Sequence, residues 1–160
     1  MTAAHHHRHA PAVFVRAVAR VCEQRGLRLT PVRRRVLELI AADEKPVKAY
    51  ELLDRLREAT GKSAPPTVYR ALDFLLANGF IHKLESINAY TGCPHPAEVH
   101  TAPFFICDGC GSAVEFCNSA VADLLLDHAR ELGFVPGAQT LEVHGRCVRC
   151  RHQRVGDRDA

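Results

Sequence analysis

Two Cys-x-x-Cys pairs are the feature that most restricts how this 160-residue chain can fold. They are Cys107 with Cys110 and Cys147 with Cys150. Two such pairs, separated along a chain, are typical of a tetrahedral zinc site in which each pair supplies two thiolates. Because four protein ligands leave no open coordination position, the spacing predicts a structural zinc ion that ties the first pair to the end of the chain.

The redox environment of these thiols decides between a metal site and disulfides. The segment MTAAHHHRHAPAVFV has neither the apolar core nor the cleavage site of a secretory signal. No apolar run approaches the roughly 18 residues of a membrane helix. We therefore expect a cytoplasmic protein whose thiols stay reduced, with a disordered His-rich tail over residues 1–12.

Charge is distributed unevenly along the chain. Residues 1–85 contain 15 Lys and Arg against 9 Asp and Glu, a net charge of +6. Residues 86–160 contain 6 against 9, a net charge of −3, and together they give the chain its +3. This asymmetry indicates that the N-terminal half faces a polyanion and that the C-terminal half has another role.

Four helical patterns and a hairpin pattern fill the N-terminal half. Apolar residues at helical spacing predict helices over 13–24, LTPVRRRVLELIAA, AYELLDRLREAT and PPTVYRALDFLLA. Thr30 is suited to cap the second helix and Pro31 to begin it. The β-prone runs FIHKL and AYT predict the hairpin. This order is typical of a winged helix-turn-helix domain, which we assign to residues 13–91.

The fourth helix of such a domain is the one that recognises DNA. Its outward residues are predicted to be Thr67, Tyr69, Arg70 and Asp73. An Arg in the first turns can reach a guanine edge or a phosphate, and a Tyr hydroxyl can bond a phosphate. The run RRR at 33–35 is expected to be a solvated helix face that adds electrostatic attraction at most.

A polar, proline-rich stretch, residues 92–102, predicts a hinge before the C-terminal half. Beyond it, FFIC, SAVEF and QTLEVHG predict strands around one helix, which should run from about Asn118 to Leu132. The helix is expected to carry its apolar face on Val121, Leu124, Leu125 and Leu132. We assign residues 103–152 to a small zinc-stabilised α/β domain and residues 153–160 to a tail. The fold class as a whole is α+β.

Several long motifs resemble the ferric uptake regulator (Fur) family and, within it, the zinc uptake regulator branch. They are LTPVRRRVL, AYELLDRLRE, PPTVYRALDFLLANGFIHKLES, HTAPFFICDGCG and HGRCVRC. The similarity runs from about residue 13 to residue 152. It implies a homodimeric repressor, not an enzyme, with N-terminal winged-helix domains and C-terminal dimerisation domains.

The resemblance also implies a second, regulatory metal between the two domains. Its matching ligands here are His82, Cys93, His100 and Glu115. One thiolate, two imidazoles and a carboxylate suit zinc, whereas iron or manganese sites favour harder ligands. The stretch VHTAPFF replaces the sequence rich in His and Asp of the iron-sensing branch, which argues against an iron or peroxide sensor. His95 and Cys117 are alternative ligands.

In the mechanism that this resemblance implies, the regulatory metal favours one spacing of the two recognition helices. The expected operator is a palindromic, AT-rich inverted repeat. Tyr50, near the preceding helix, is expected to contact the DNA backbone. Asp54 and Arg57, at i, i+3 spacing, predict an intrahelical ion pair. A contact between two dimers on one operator is the alternative for this pair.

The sequence therefore predicts a zinc-responsive regulator that represses zinc-uptake genes and holds two zinc ions per protomer. The first alternative is a Fur-family sensor of iron, manganese, peroxide or haem. A zinc hydrolase would need an open coordination position and a nearby general base, yet both ligand sets have four members and no HExxH motif is present. A zinc buffer that does not bind DNA is the third alternative.

Overall fold

The computed structural model describes residues 10–61, 64–97, 103–116, 119–135 and 141–151. The chain divides into two compact units, Met1–His100 and Thr101–Ala160. Residues 1–9 and 153–160 of the predicted tails and residues 98–102 of the predicted hinge lie outside the described residues, whereas Pro11 and Ala12, assigned above to the N-terminal tail, belong to α1. The other domain limits given above stay predictions. The N-terminal unit contains α1 (Pro11–Gln24), α2 (Pro31–Ala42), α3 (Ala49–Thr60), α4 (Pro65–Ala77), β1 (Ile81–Leu84) and β2 (Ala89–Gly92).

The helices of the N-terminal unit begin and end at residues suited to those positions. The Thr30 side chain accepts a hydrogen bond from the Arg33 N–H (3.4 Å) and Pro31 is the first residue of α2, as predicted. The Lys48 N–H donates to the Glu51 carboxylate (3.0 Å) at the start of α3. Gly61 ends that helix with a φ of 69°, a left-handed conformation that favours glycine.

The four helices and the hairpin enclose one apolar core. Each helix contributes the face that its spacing predicts, and side chains such as Leu37, Leu52 and Leu72 are almost completely buried. β1 and β2 pair antiparallel, with Ile81 opposite Gly92. Val47 and Tyr90 exchange two backbone hydrogen bonds of 2.8 Å, which attach the α2–α3 connection to the hairpin. The predicted winged helix-turn-helix order is confirmed.

The C-terminal unit is built on a three-stranded sheet in the order β4-β3-β5. Its elements are β3 (Pro103–Cys107), β4 (Ala113–Glu115), α5 (Ser119–Glu131), β5 (Leu141–Gly145) and a one-turn helix α6 (Val148–Arg151). β3 pairs antiparallel with β4 and parallel with β5. The sequence did not predict α6, since a single turn is too short to produce a periodic pattern. The expected cap at Asn118 lies outside the described residues.

The apolar face predicted on α5 is largely exposed in the described part of the chain. Leu124 is 58% exposed and Leu125 45%, and Leu132, just beyond the helix, is 82% exposed. Among the described residues, the unit buries only Pro103, Phe104, Ile106, Cys107, Ala129 and Cys150. Helical spacing reports that a face is apolar, but it does not report whether the same chain covers that face.

No helix in the described part of the chain combines the length and the hydropathy needed to cross a lipid bilayer.

Candidate metal centres and nucleic-acid interface

The parallel pairing of β3 with β5 brings the two Cys-x-x-Cys pairs together. Cys107 is the last residue of β3, and it lies opposite Gly145 at the end of β5. The Asp108 N–H donates to the Gly145 carbonyl (2.8 Å), which continues this pairing past the strand. The second pair follows on the segment that enters α6. The sulfur atoms of the four cysteines all lie within 4.8 Å of one another.

The geometry of the four-cysteine set fits a zinc ion. Zn–S bonds of about 2.3 Å in a tetrahedron place the sulfur atoms about 3.8 Å apart. The sulfur atoms of Cys110 and Cys147 are 3.9 Å apart. The Cys147 N–H donates to the Cys107 sulfur (3.3 Å), an interaction that stabilises a thiolate. These four side chains are therefore suited to hold zinc in a closed, structural site.

The acid–base properties of the set favour a bound cation. The N–H of Cys147, with further backbone hydrogen bonds from Cys110 and Gly109, lowers the pKa of Cys107 to about 6. The neighbouring thiol of Cys147, together with burial, raises the pKa of Cys150 to about 12. The protein alone thus stabilises one thiolate here and disfavours another, and a divalent cation removes that conflict.

Gly109 provides the space that the closed site needs. A Cβ atom at this position would lie 2.9 Å from the Cβ of Cys150 and 3.0 Å from its sulfur. Sequence reasoning missed this role, although the glycine inside the CDGC motif was the available signal. It also missed the 2.9 Å contact between His144 Nδ1 and the Asp108 carboxylate, which joins the end of β5 to the same motif.

The second predicted ligand set is divided between the two units. His82 lies on β1 and Cys93 directly follows β2, where the Cys93 N–H donates to the Phe80 carbonyl (3.0 Å). Their ligand atoms lie within 4.8 Å of each other. Cys93 is completely buried, whereas the alternative ligand His95 is exposed. The N-terminal unit thus brings two of the four predicted ligands together beside its hairpin.

The other members of this set belong to the C-terminal half. Glu115 is the last residue of β4, half-buried and opposite Phe104 on β3. His100 and the alternative ligand Cys117 lie outside the described residues. The assignment of this set therefore stays a prediction.

The predicted recognition helix, α4, presents a polar outer face over a buried inner one. Val68, Ala71 and Leu72 are buried, whereas the predicted contact residues Thr67, Tyr69, Arg70 and Asp73 are all exposed. Tyr50, at the second position of α3, is also exposed, and its hydroxyl donates to the Glu51 carboxylate (3.4 Å). Exposed tyrosines and arginines on a basic unit are suited to contact phosphates and base edges.

The predicted pair of Asp54 and Arg57 lies on the exposed side of α3. Arg57 Nη1 is 3.9 Å from the Asp54 carboxylate, at i, i+3 spacing. An exposed pair at this distance contributes little to stability.

Known proteins of similar sequence and structure include zinc uptake regulators. The zinc uptake regulation protein of Escherichia coli (strain K12) is 46% identical over 132 residues, covering 82% of this chain and 77% of that protein. The crystal structure of holo XcZur has a TM-score of 0.82 at 62% identity, covering 87% of this chain and 97% of that one. A zinc uptake regulator complexed with zinc and DNA has a TM-score of 0.86 at 42% identity, covering 91% and 97%.

The sequence pattern that defines the ferric uptake regulator family matches residues 24–144, from the end of α1 to β5. This range contains α4, the hairpin, the predicted hinge and the first Cys-x-x-Cys pair. Together with the winged-helix unit and the four-cysteine centre, the match establishes that the chain belongs to the ferric uptake regulator family.

Proposed function

We propose that this protein is a zinc-responsive, dimeric transcriptional regulator that binds operator DNA and represses zinc-uptake genes. The observation that carries the proposal is the presence of two separate ligand sets in a chain of this family. The four-cysteine set resembles a closed structural zinc site. The set that begins with His82 and Cys93 lies beside the hairpin and continues, in sequence, across the hinge. Relatives named for zinc uptake regulation support zinc as the signal.

The two sets have different roles in this proposal, with one zinc ion per set and protomer. The four cysteines hold the C-terminal unit together whether or not the regulator is active. In the second set, His82, Cys93, His100 and Glu115 would hold the regulatory zinc, which supplies a bond between segments on both sides of the hinge. Because these ligands come from two units, filling the set limits the arrangements that the units can adopt.

DNA recognition is assigned to α4 and its neighbours. Arg70 and Tyr69 would contact bases and phosphates from the recognition helix, with Thr67 in its first turn. Tyr50 would contact the backbone from α3. The net charge of +6 over residues 1–85 supports this assignment, since phosphate neutralisation supplies much of the affinity of DNA-binding proteins. An AT-rich inverted repeat is the proposed operator, because a symmetric dimer presents two identical helices.

The exposed apolar residues of the C-terminal unit support the dimer. Leu124, Leu125, Phe134 and Val135 are each at least 45% exposed. Soluble proteins rarely leave contiguous apolar surface uncovered, and a second copy of the same chain would present a matching face. Asp54 and Arg57, on α3 of the N-terminal unit, would serve a contact between two dimers on one operator.

A metal series tests the choice of zinc. Metal-depleted protein that retains its structural zinc is titrated with zinc, iron(II) and manganese(II) while binding to a duplex selected from a random pool is measured by fluorescence anisotropy. We expect zinc to increase the affinity at the lowest free concentration. Stronger activation by iron or manganese would assign the second set to another signal within the family. Zinc binding without DNA binding would identify a zinc buffer.

A further inference from the structure

A cleft of about 220 Å³ separates the N-terminal ends of α2 and α4. It is lined by Thr30, Val32, Arg33, Thr67, Arg70 and Ala71. Two of these residues are arginines, two are threonines and none is acidic. Pockets for drug-sized ligands usually measure about 300–1,000 Å³, so this cleft suits a small group, and the positive charge of its two arginines favours an anion.

Arg33 is held in place on the wall of this cleft. The centre of its guanidinium group lies 3.6 Å from the centroid of the Phe74 ring. Its Nη1 also donates to the Arg28 carbonyl (2.6 Å). Phe74 is itself packed against the buried Phe80, at 6.3 Å between ring centroids. A guanidinium that is stacked and tethered in this way loses little conformational freedom when it binds an anion.

The two arginines of the cleft differ from other arginines of the same unit. Arg35 pairs with Glu38 (3.2 Å), and Arg55 pairs with Asp43. Within the described part of the chain, neither Arg33 nor Arg70 forms an ion pair with a carboxylate. Two cations that share one cleft without an acidic partner repel each other, and an anion between them would replace that repulsion with attraction.

The ends of the two helices attract an anion but offer few backbone donors. α2 begins with Pro31, and α4 begins with Pro65 and Pro66, none of which has an N–H. The Arg33 N–H donates to the Thr30 hydroxyl and the Thr67 N–H donates to the Ala64 carbonyl. The helix dipoles favour negative charge at these ends. Because these backbone N–H groups are missing or already bonded, hydrogen bonds to an anion must come mainly from side chains.

We propose that this cleft binds a phosphate group of the DNA backbone, with Arg33 as the principal cation and Arg70 beside it. This inference rests on the proposed function, because it adds a positioning contact to the same recognition helix. Arg70 and Tyr69 lie in the first turns of α4, so a phosphate held between α2 and α4 would fix that helix in its groove. Phosphate contacts of this kind set the register of a protein on DNA, and base contacts then supply specificity.

The test compares Arg33→Gln with Arg35→Gln in the full-length, zinc-loaded protein. Both variants lose one positive charge on α2, but only Arg33 lines the cleft. Binding to the selected duplex and to an unrelated duplex is measured over a range of salt concentrations. Arg33→Gln is expected to weaken binding to both duplexes by a similar factor. It should also reduce the slope of log K against log salt by about 1 for each phosphate that the variant no longer neutralises. Arg35→Gln should leave the slope unchanged.

Arg33→Lys separates charge from folding, since it keeps the cation and is expected to retain most of the slope. Equal slopes for Arg33→Gln and Arg35→Gln would overturn the inference, as would a loss confined to the selected duplex. Wild-type protein that binds no duplex at any zinc concentration would refute the proposed function itself. Inorganic phosphate, added without DNA at constant ionic strength, should not shift the side-chain NMR signals of Arg33. Saturable binding there would assign the cleft to free phosphate instead.

Discussion

The N-terminal unit covers its apolar residues within one chain, whereas the C-terminal unit leaves many of its own exposed. Four helices and a hairpin enclose Leu37, Leu52, Leu72 and Leu75, each no more than 1% exposed. The C-terminal unit combines a small buried cluster with a four-cysteine centre and an uncovered apolar face. A unit of about 60 residues buries only about 60% of the surface that its unfolded chain exposes, so a core of this size leaves it marginally stable, and a metal or a partner adds stability. We infer that the N-terminal unit is stabilised by its apolar core, and the C-terminal unit by metal binding and dimer formation.

The largest expected effect comes from changing the same residue type in each unit. Leu72→Ala removes a buried side chain of α4 and should lower the free energy of unfolding of the N-terminal unit by about 2–5 kcal/mol. Leu125→Ala removes a side chain of the C-terminal unit that is 45% exposed within one chain, so it should leave the free energy of unfolding of the N-terminal unit unchanged. Chemical denaturation followed by circular dichroism measures both.

The same pair of variants also tests whether the C-terminal unit forms the dimer through α5. Leu125→Ala is expected to raise the dissociation constant of the dimer in sedimentation experiments, whereas Leu72→Ala should affect dimerisation only through unfolding. If Leu125→Ala left self-association unchanged, the exposed face of α5 would not be the dimer contact.

A smaller effect is expected from filling the space beside the four-cysteine centre. Gly109→Ala would bring a methyl group within about 3 Å of Cys150 and should weaken retention of the structural zinc against a chelator. Gly145→Ala is the matched control, since a Cβ there meets no atom within 4 Å. Equal zinc loss from the two variants would show that the close approach at Gly109 does not matter to the centre.

Most of the fold could be predicted because its signals are local. The cap at Thr30, the proline at Pro31 and the apolar spacing of α1–α4 each act within a few residues, and the structure confirms them. The Cys-x-x-Cys spacing was equally informative, because the two cysteines of each pair are only three residues apart in the sequence. The one-turn helix α6 and the exposure of Leu124 were not predicted. The former is too short for periodicity, and the latter depends on what covers the helix.

The second ligand set, in contrast, could not be predicted from local sequence signals. His82 and Cys93 are eleven residues apart and come together only because β1 and β2 pair antiparallel. No spacing rule identifies such a pair, and only the family resemblance singled it out. Arg33 is similar. What distinguishes it from Arg34 and Arg35 is its stacking on Phe74, which lies on another helix. Features that depend on tertiary pairing need the structure or a relative.

The central claim is that the four cysteines stabilise the protein whereas the set containing Cys93 regulates it. Zinc-titrated DNA binding of wild type, Cys93→Ser and Cys107→Ser tests this claim most directly, with zinc content and dimerisation measured on the same samples. We predict that Cys93→Ser folds, dimerises and keeps one zinc ion per protomer, but needs much more zinc to bind DNA. Cys107→Ser should lose the structure of the C-terminal unit and the dimer. A Cys107→Ser protein that still dimerises and responds to zinc, beside a Cys93→Ser protein that does not fold, would contradict the account.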